Sequence, residues 1–201
     1  MTYQDFIHRS VSDNLALQQK FFPVHAAQIE RVAMAMAGRF QRGKKLLVFG
    51  NGGSAADAQH MAAELVGRFS HESMRQTALS AFALSTDASL LTSVSNDFGF
   101  EWIFARQVAA HGHEGDIAVA ISTSGNSPNV LKAVEEAKAR QMYTVGLAGR
   151  DGGKLAQTVE ECFVVESPST ARIQETHALL IHLLCEIIDR EITAVEMGAQ
   201  R

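Results

Sequence analysis

Cysteine is scarce in this chain. Only Cys162 and Cys185 occur in 201 residues, far apart, among apolar neighbours and in no metal-ligand spacing. That excludes a disulfide framework and a cysteine-based zinc knot, and points to reduced, buried thiols in a cytosolic protein. An excess of basic charge is also missing: 18 Lys and Arg stand against 22 Asp and Glu, a formal charge of -4. No broad cationic surface is therefore expected for nucleic acid or an acidic membrane. Long apolar runs are absent as well. The most apolar stretch, Ala178 to Ile188, is interrupted by His182 and Glu186 and is too short to cross a bilayer. The opening MTYQDFIHRS has no basic region followed by an apolar run, so no export signal is expected and the chain is placed in the cytoplasm.

What remains is an ordinary globular composition, 46% hydrophobic and 20% charged, enough for one domain with a substantial core. The chain is organised around Lys45 to Arg68, KLLVFGNGGSAADAQHMAAELVGR. This reads as a buried strand (Leu46 to Phe49), a turn rich in glycine (Gly50, Gly52, Gly53), and a helix entered at Ser54. The first N–H groups of such a helix lack intrahelical acceptors and face whatever sits in the turn, so the loop suits a phosphate. A glycine turn between strand and helix also occurs without any ligand. His60 and Glu64 stand four residues apart on one face of that helix. The spacing serves a shared metal, an acid/base pair or a plain surface pair.

Before this element, apolar positions at helical spacing predict one helix from Tyr3 to about Phe22, closed by Pro23, and a second from His25 to Gln41. Such a pair packs either on its own core or on another copy of the chain. After it come a strand at Leu79 to Leu84 and a helix from Asp87 into Ser95. Asn96, Asp97, Phe98 and Gly99 then break the pattern, with Asp97 either a turn residue or a group reaching a sugar hydroxyl. The strand DIAVAI, Asp116 to Ile121, feeds a loop crowded with Ser122, Thr123, Ser124 and Ser127, where Ser127 can cap the helix that begins at Pro128. Two anion-ready loops at the carboxyl ends of strands share one crevice in an open parallel sheet. Strands at Tyr143 to Ala148 and Glu161 to Val165 follow, separated by a structural glycine loop, GRDGGKLA. A long helix from Thr170 to Met197 closes the chain and carries Gln174, His177 and His182, which serve either as core groups or as site residues.

Alternating strands and helices predict a three-layer α/β/α sandwich on a parallel five-stranded sheet. GNGGSAADAQHMAAEL, NDFGF, ISTSGNSPNV and RIQETHALLIH, in this order, closely resemble the sugar isomerase (SIS) domain family and within it the phosphoheptose isomerases. The resemblance covers nearly the whole chain. It implies a single flavodoxin-like SIS domain over residues 1–201, with a leading helical pair at 1–42 and the α/β core at 43–201. It also implies interconversion of sedoheptulose 7-phosphate and D-glycero-D-manno-heptose 7-phosphate, the first step toward heptoses of lipopolysaccharide and other surface glycans. Carried over by position, it implies substrate contacts from Asn51, Gly52, Gly53, Ser54, Asn96, Asp97, Ser122, Thr123, Ser124, Ser127 and Gln174. It implies one zinc ion per subunit on His60, Glu64, Gln174 and His182, with Glu64 and His182 as the acid/base pair, and a homotetramer with active sites between subunits.

That chemistry suits the residue types. Moving a carbonyl from C2 to C1 requires removing a proton from C1 and returning it to C2 through an enediol, which one carboxylate can do. Gln174 and His182 lie eight residues apart, about 12 Å along a straight helix, so for both to reach one ion they must lean strongly, the helix must bend, or one must come from a neighbouring subunit, the reading favoured here. The rival reading is a regulator resembling the DnaA initiator-associating protein, or a sugar-phosphate binder without turnover. Relatives of the first kind lack the complete set His60, Glu64 and His182. The segment SPSTA leaves no acidic residue immediately before Arg172, so no auxiliary carboxylate is expected there.

Overall fold

A computed structural model describes residues 1–67, 69, 75 and 77–199; Arg68, the last residue of the central stretch, lies outside the described residues. The elements are, in order, α1 (Tyr3–Gln41), β1 (Leu46–Gly50), α2 (Gly53–Val66), β2 (Ala81–Ala83), α3 (Ala88–Phe98) and, after a 3-10 turn at Phe100–Trp102, α4 (Ile103–His111). They continue with β3 (Ile117–Ser122), α5 (Pro128–Ala139), β4 (Tyr143–Gly149), α6 (Gly153–Thr158), β5 (Glu161–Val165) and α7 (Thr170–Ala199).

The five strands form one sheet in the order β2-β1-β3-β4-β5, every pairing parallel. Alternation along the strands sorts two cores. Leu46, Val48, Ile117, Val119, Ile121, Val145, Leu147, Phe163 and Val165 face the layer of α1, α2 and α7. Leu47, Phe49, Ala118, Ala120 and Ala148 face α4, α5 and α6. Both faces are covered, which is why the strands read as nearly unbroken apolar runs. In this order the connection reverses direction between β1 and β3, and in an open parallel sheet the crevice at such a reversal is where ligands bind. The glycine turn follows β1 and the serine loop follows β3, so both flank it. Among the described residues no helix is long and apolar enough to cross a membrane.

The leading pair of helices is a single helix, α1, which runs through Pro23. Proline removes one N–H from the ladder and normally breaks or kinks a helix. Here both flanks are held. Phe21 is buried and stacks on His25 at 4.2 Å, the His25 Nδ1 lies 2.9 Å from the Phe21 carbonyl, and the second half buries Ile29, Val32 and Met36 in the core. The first half is tied to the start of α7, where Asn14 bonds Glu175 and the Arg172 guanidinium bonds the Ser10 carbonyl. Tertiary packing outweighs the local signal at position 23.

Asn96 and Asp97 also depart from expectation. They do not break a helix but form the last turn of α3, which Gly99 ends at φ +93°. Asp87 stands at the N-cap as a side-chain acceptor for the Leu90 N–H.

Candidate active site

The turn after β1 is shaped by Gly52, whose φ of +57° with ψ of -122° is strained for any residue with a side chain. The helix begins at Gly53, one residue earlier than the sequence suggests. Ser54 is buried; its N–H donates to the Asn51 carbonyl and that of Ala55 to the Gly52 carbonyl. This leaves Gly52 and Gly53 as the loop's donors toward the crevice among the described residues.

The serine loop converges on one point. Ser122 Oγ lies 3.1 Å from Ser127 Oγ and 3.5 Å from Ser124 Oγ, while Ser124 Oγ accepts from the Asn126 N–H. Ser127 occupies the N-cap of α5, but its hydroxyl makes no capping bond and turns to Ser122 instead. Three hydroxyls at the positive end of α5 form an arrangement chemically suited to an anion. Asn51 and Asn129 exchange two amide hydrogen bonds, 2.9 and 2.8 Å, and so lock the glycine turn to the serine loop. Asn129 was not singled out in sequence; an asparagine in a first helical turn carries no distinctive spacing.

The reactive cluster lies between α2 and α7. His60 Nε2 is 3.1 Å from Glu64 Oε1 and 3.0 Å from His182 Nε2, and the three donor atoms all fall within 4.8 Å of one another. One chain therefore brings together His60, Glu64 and His182. Gln174 sits elsewhere on α7: a methyl group added at Gly53 would come within 2.4 Å of its Nε2, so its amide rests on the glycine turn. Seven residues separate Gly53 from His60 and eight separate Gln174 from His182. The two contacts show α2 and α7 side by side and pointing the same way, with the anion loop at one end and the cluster at the other, roughly 10–12 Å apart along the axes.

Asn96 and Asp97 are exposed and bond each other at 2.8 Å, with no hydrogen bond from either to the loops or the cluster among the described residues. His177 is a core group. It is fully buried, its Nε2 lies 3.0 Å from the Ala148 carbonyl, its Nδ1 has no partner, and burial depresses its pKa to about 4. A histidine forced neutral in the fold but titrating near 6.5 when unfolded adds stability above about pH 6.5 that is lost as pH falls toward 4. Replacing His177 with Gln should flatten the acid limb of the stability curve in that window. Urea denaturation at pH 7.5, 6.0 and 5.0 measures this, and an unchanged pH dependence would contradict it.

Asp57 is the group that sequence reasoning missed. It lies on the same α2 stripe as His60 and Glu64, one turn nearer the glycine loop. Its Oδ2 is buried without a partner, and burial pushes its pKa up to about 6 against the attraction of His60. The signal was present as a three-residue spacing from His60, but such a residue on a helix is usually solvated. Both cysteines are free; Cys185 is buried as expected whereas Cys162 is only partly so, and burial raises both pKa values, that of Cys162 to about 12.

Comparison with known proteins settles the family. The SIS domain profile matches residues 11–149. The phosphoheptose isomerase of Trichlorobacter lovleyi is 45% identical over 198 residues, 98% of this chain and 100% of that protein. Phosphoheptose isomerase 1 of Campylobacter jejuni is 51% identical over 162 residues, 81% of this chain and 86% of that protein. The structure of phosphoheptose isomerase GmhA from Neisseria gonorrhoeae superposes with a TM-score of 0.88 at 42% identity, covering 94% of this chain and 100% of that one. The chain belongs to the phosphoheptose isomerase family.

Phosphoheptose isomerase chemistry leads to the question of whether this cluster suits zinc. Two imidazole nitrogens 3.0 Å apart share a single proton or oppose their lone pairs; a cation between them removes that conflict. Tetrahedral zinc with bonds of about 2.0–2.1 Å sets its ligand atoms about 3.3 Å apart, close to the two short separations here. Two imidazoles and a carboxylate are the donor types of a catalytic zinc set. The residues fit the ion.

Proposed function

We propose that this chain converts sedoheptulose 7-phosphate to D-glycero-D-manno-heptose 7-phosphate, an aldose-ketose isomerisation. The observation that carries the proposal is the convergence of Glu64, His60 and His182 at one end of the α2/α7 groove whose other end holds the anion loops. The relatives' names support this chemistry over a replication regulator or a binder without turnover.

Gly52, Gly53 and the hydroxyls of Ser122, Thr123, Ser124 and Ser127 receive the phosphate, and Ser54 shapes the turn that carries the two glycines. The seven-carbon chain then lies along the groove with C1 and C2 at the cluster. Fixing the far phosphate orients the reacting end, which turns a difficult encounter into an intramolecular one. Glu64 takes the proton from C1 and returns it to C2. His182 moves the proton between O1 and O2 as the carbonyl shifts. Bound zinc, held by His60, Glu64 and His182, would supply Lewis acidity toward the carbonyl oxygen. Gln174 stands on the phosphate side of its own chain's site; a Gln174 that reaches the ion would come from a neighbouring copy.

The exposed amino-terminal stripe supports the homotetramer. Tyr3, Ile7, Val11 and Leu15 recur every fourth residue on α1, each more than half exposed. A solvent-facing apolar stripe of this length marks an interface. Val11→Asp should shift the assembly from tetramer toward smaller species in light scattering, and an unchanged mass would reject this stripe as the contact. Asn96 and Asp97, exposed at the end of α3, complete the proposed substrate contacts. A biosynthetic role in the cytoplasm, feeding lipopolysaccharide or other glycans, follows from the same reading.

The test is turnover of sedoheptulose 7-phosphate by the purified protein with added zinc or with a chelator. Aldose formation that a chelator abolishes and zinc restores is the expected result. No product in either condition rejects the isomerase, and binding to the replication initiator would then support the regulator.

A further inference from the structure

We infer that Asn126 is a positioning residue for the substrate's phosphate: its side-chain amide fastens the serine loop to the glycine loop that opens α6, and so fixes where the Ser124 hydroxyl stands. The inference rests on the phosphate reading of the serine loop given above. The glycine loop, Gly149 to Ala156, follows β4, which lies next to β3 in the sheet, so it stands beside the serine loop. The two backbones meet closely. A methyl group added at Gly125 would come within 2.0 Å of the Gly152 carbonyl oxygen. One added at Gly153 would come within 2.6 Å of Asn126 Nδ2 and 2.8 Å of the Ser124 carbonyl oxygen, so the Asn126 amide fills the space a side chain would take.

The first N–H groups of a helix have no intrahelical acceptor. In α6 the serine loop takes up two of them: the Lys154 N–H donates to Asn126 Oδ1 at 3.2 Å and the Leu155 N–H to the Gly125 carbonyl at 2.9 Å. Asn126 Nδ2 donates to the Ser124 carbonyl at 2.8 Å, and the Asn126 N–H to Ser124 Oγ at 3.2 Å. One asparagine thus holds Ser124 at its carbonyl and its hydroxyl, and is itself held by α6, which Leu155 anchors in the core. A hydroxyl fixed before the ligand arrives needs no ordering when the anion binds, which raises affinity.

Asn126→Ala and Gly153→Ala approach the contact from its two sides. Alanine at 126 removes both side-chain bonds, and because Asn126 is exposed the variant should fold. Alanine at 153, where φ is +53°, pushes the amide off the start of α6. Each should raise KM for sedoheptulose 7-phosphate about 10-fold while kcat stays within about threefold, the mark of binding lost equally from ground and transition states. The double variant should reach about 20-fold rather than 100-fold, because both changes break one contact. Inorganic phosphate, titrated by phosphorus NMR, should bind both single variants about 10-fold more weakly than wild type, a result that supports the inference even where the wild-type protein makes no aldose. Phosphate affinity unchanged within about twofold in a folded Asn126→Ala protein would overturn it. So would a loss in Asn126→Ala that Gly153→Ala does not share, which would make Asn126 a direct substrate contact. A wild-type protein that binds no phosphate would overturn both the inference and the phosphate reading.

Discussion

Glu64→Gln should lower kcat for sedoheptulose 7-phosphate about 100- to 10,000-fold at saturating zinc, the range expected for removing a positioned general base. Glutamine preserves the volume and can still hydrogen-bond at the place where Glu64 Oε1 meets His60 Nε2 at 3.1 Å, but it cannot accept the C1 proton at neutral pH. The glycine turn and serine loop proposed to hold the phosphate lie toward the other end of α2 and do not involve this side chain. KM should therefore change far less than kcat, which separates a chemical role from a binding role. Amide oxygen is also a poorer zinc ligand than carboxylate, so the assay needs zinc well above any weakened affinity. His182→Ala should lose activity too, and exogenous imidazole should restore part of it if the ring's task is proton transfer between oxygens. A Glu64→Gln enzyme within tenfold of wild type would remove Glu64 from the mechanism. Near-normal kcat with sharply raised KM would make it a substrate contact only.

The second large effect is on stability. Asp189→Ala should destabilise the fold by about 3–5 kcal/mol, because it removes one partner of a buried ion pair and leaves the other charge under-compensated. The Arg75 side chain is only 2% exposed, and its Nε donates to Asp189 Oδ1 at 2.8 Å. The same guanidinium donates to the carbonyls of Glu64 at 3.3 Å and Gly67 at 3.0 Å, and to that of Thr77. Carbonyls at the end of a helix have no intrahelical donors, and an arginine there answers both their hydrogen bonding and the helix dipole. Arg75 thus caps α2 just where Glu64 sits and anchors that cap to α7, which carries His182. For a chain of this size the loss corresponds to a fall in melting temperature on the order of 10 °C. Asp189→Asn, which keeps a hydrogen-bond acceptor, should fall less. A drop under about 2 °C in Asp189→Ala would show that the pair is not a brace. Zinc affinity should weaken along with stability, because the cluster depends on the spacing of the two helices.

Other solved structures share the fold at a much lower identity. The Vibrio vulnificus NanR protein complexed with ManNAc-6P aligns with a TM-score of 0.61 at 17% identity. Such a likeness extends to architecture alone.

Much of this protein was legible in its residues. The short apolar strand runs, the glycine turn before α2 and the four-residue spacing of His60 and Glu64 are local features, and local features survive folding because backbone sterics and helix geometry produce them directly. The continuous path of α1 through Pro23 was not legible: position 23 reads as a break, and only packing around Phe21 and His25, with α7 alongside, overrides it. The α3 ending at Phe98 was misjudged because Asn-Asp before an aromatic and glycine is a common turn signal, while the ladder here closes only at Gly99. Ser127 was expected to cap α5, yet a second hydroxyl five residues back offers a better partner.

The sequence alone determined which groups can do chemistry: a carboxylate and imidazoles at helical spacing, glycines where the backbone must turn, and hydroxyls at a helix start. Tertiary structure alone decided which of them meet. His182 lies 122 residues from His60, and only the parallel packing of α2 on α7 brings the two rings to 3.0 Å. The same packing sends Gln174 to the glycine turn, two helical turns from the cluster, and buries the Asp57 Oδ2 without a partner. Sequence spacing is set by covalent bonds and helix pitch within one element. Contact between elements is set by the side chains filling the space between them, which no single segment encodes.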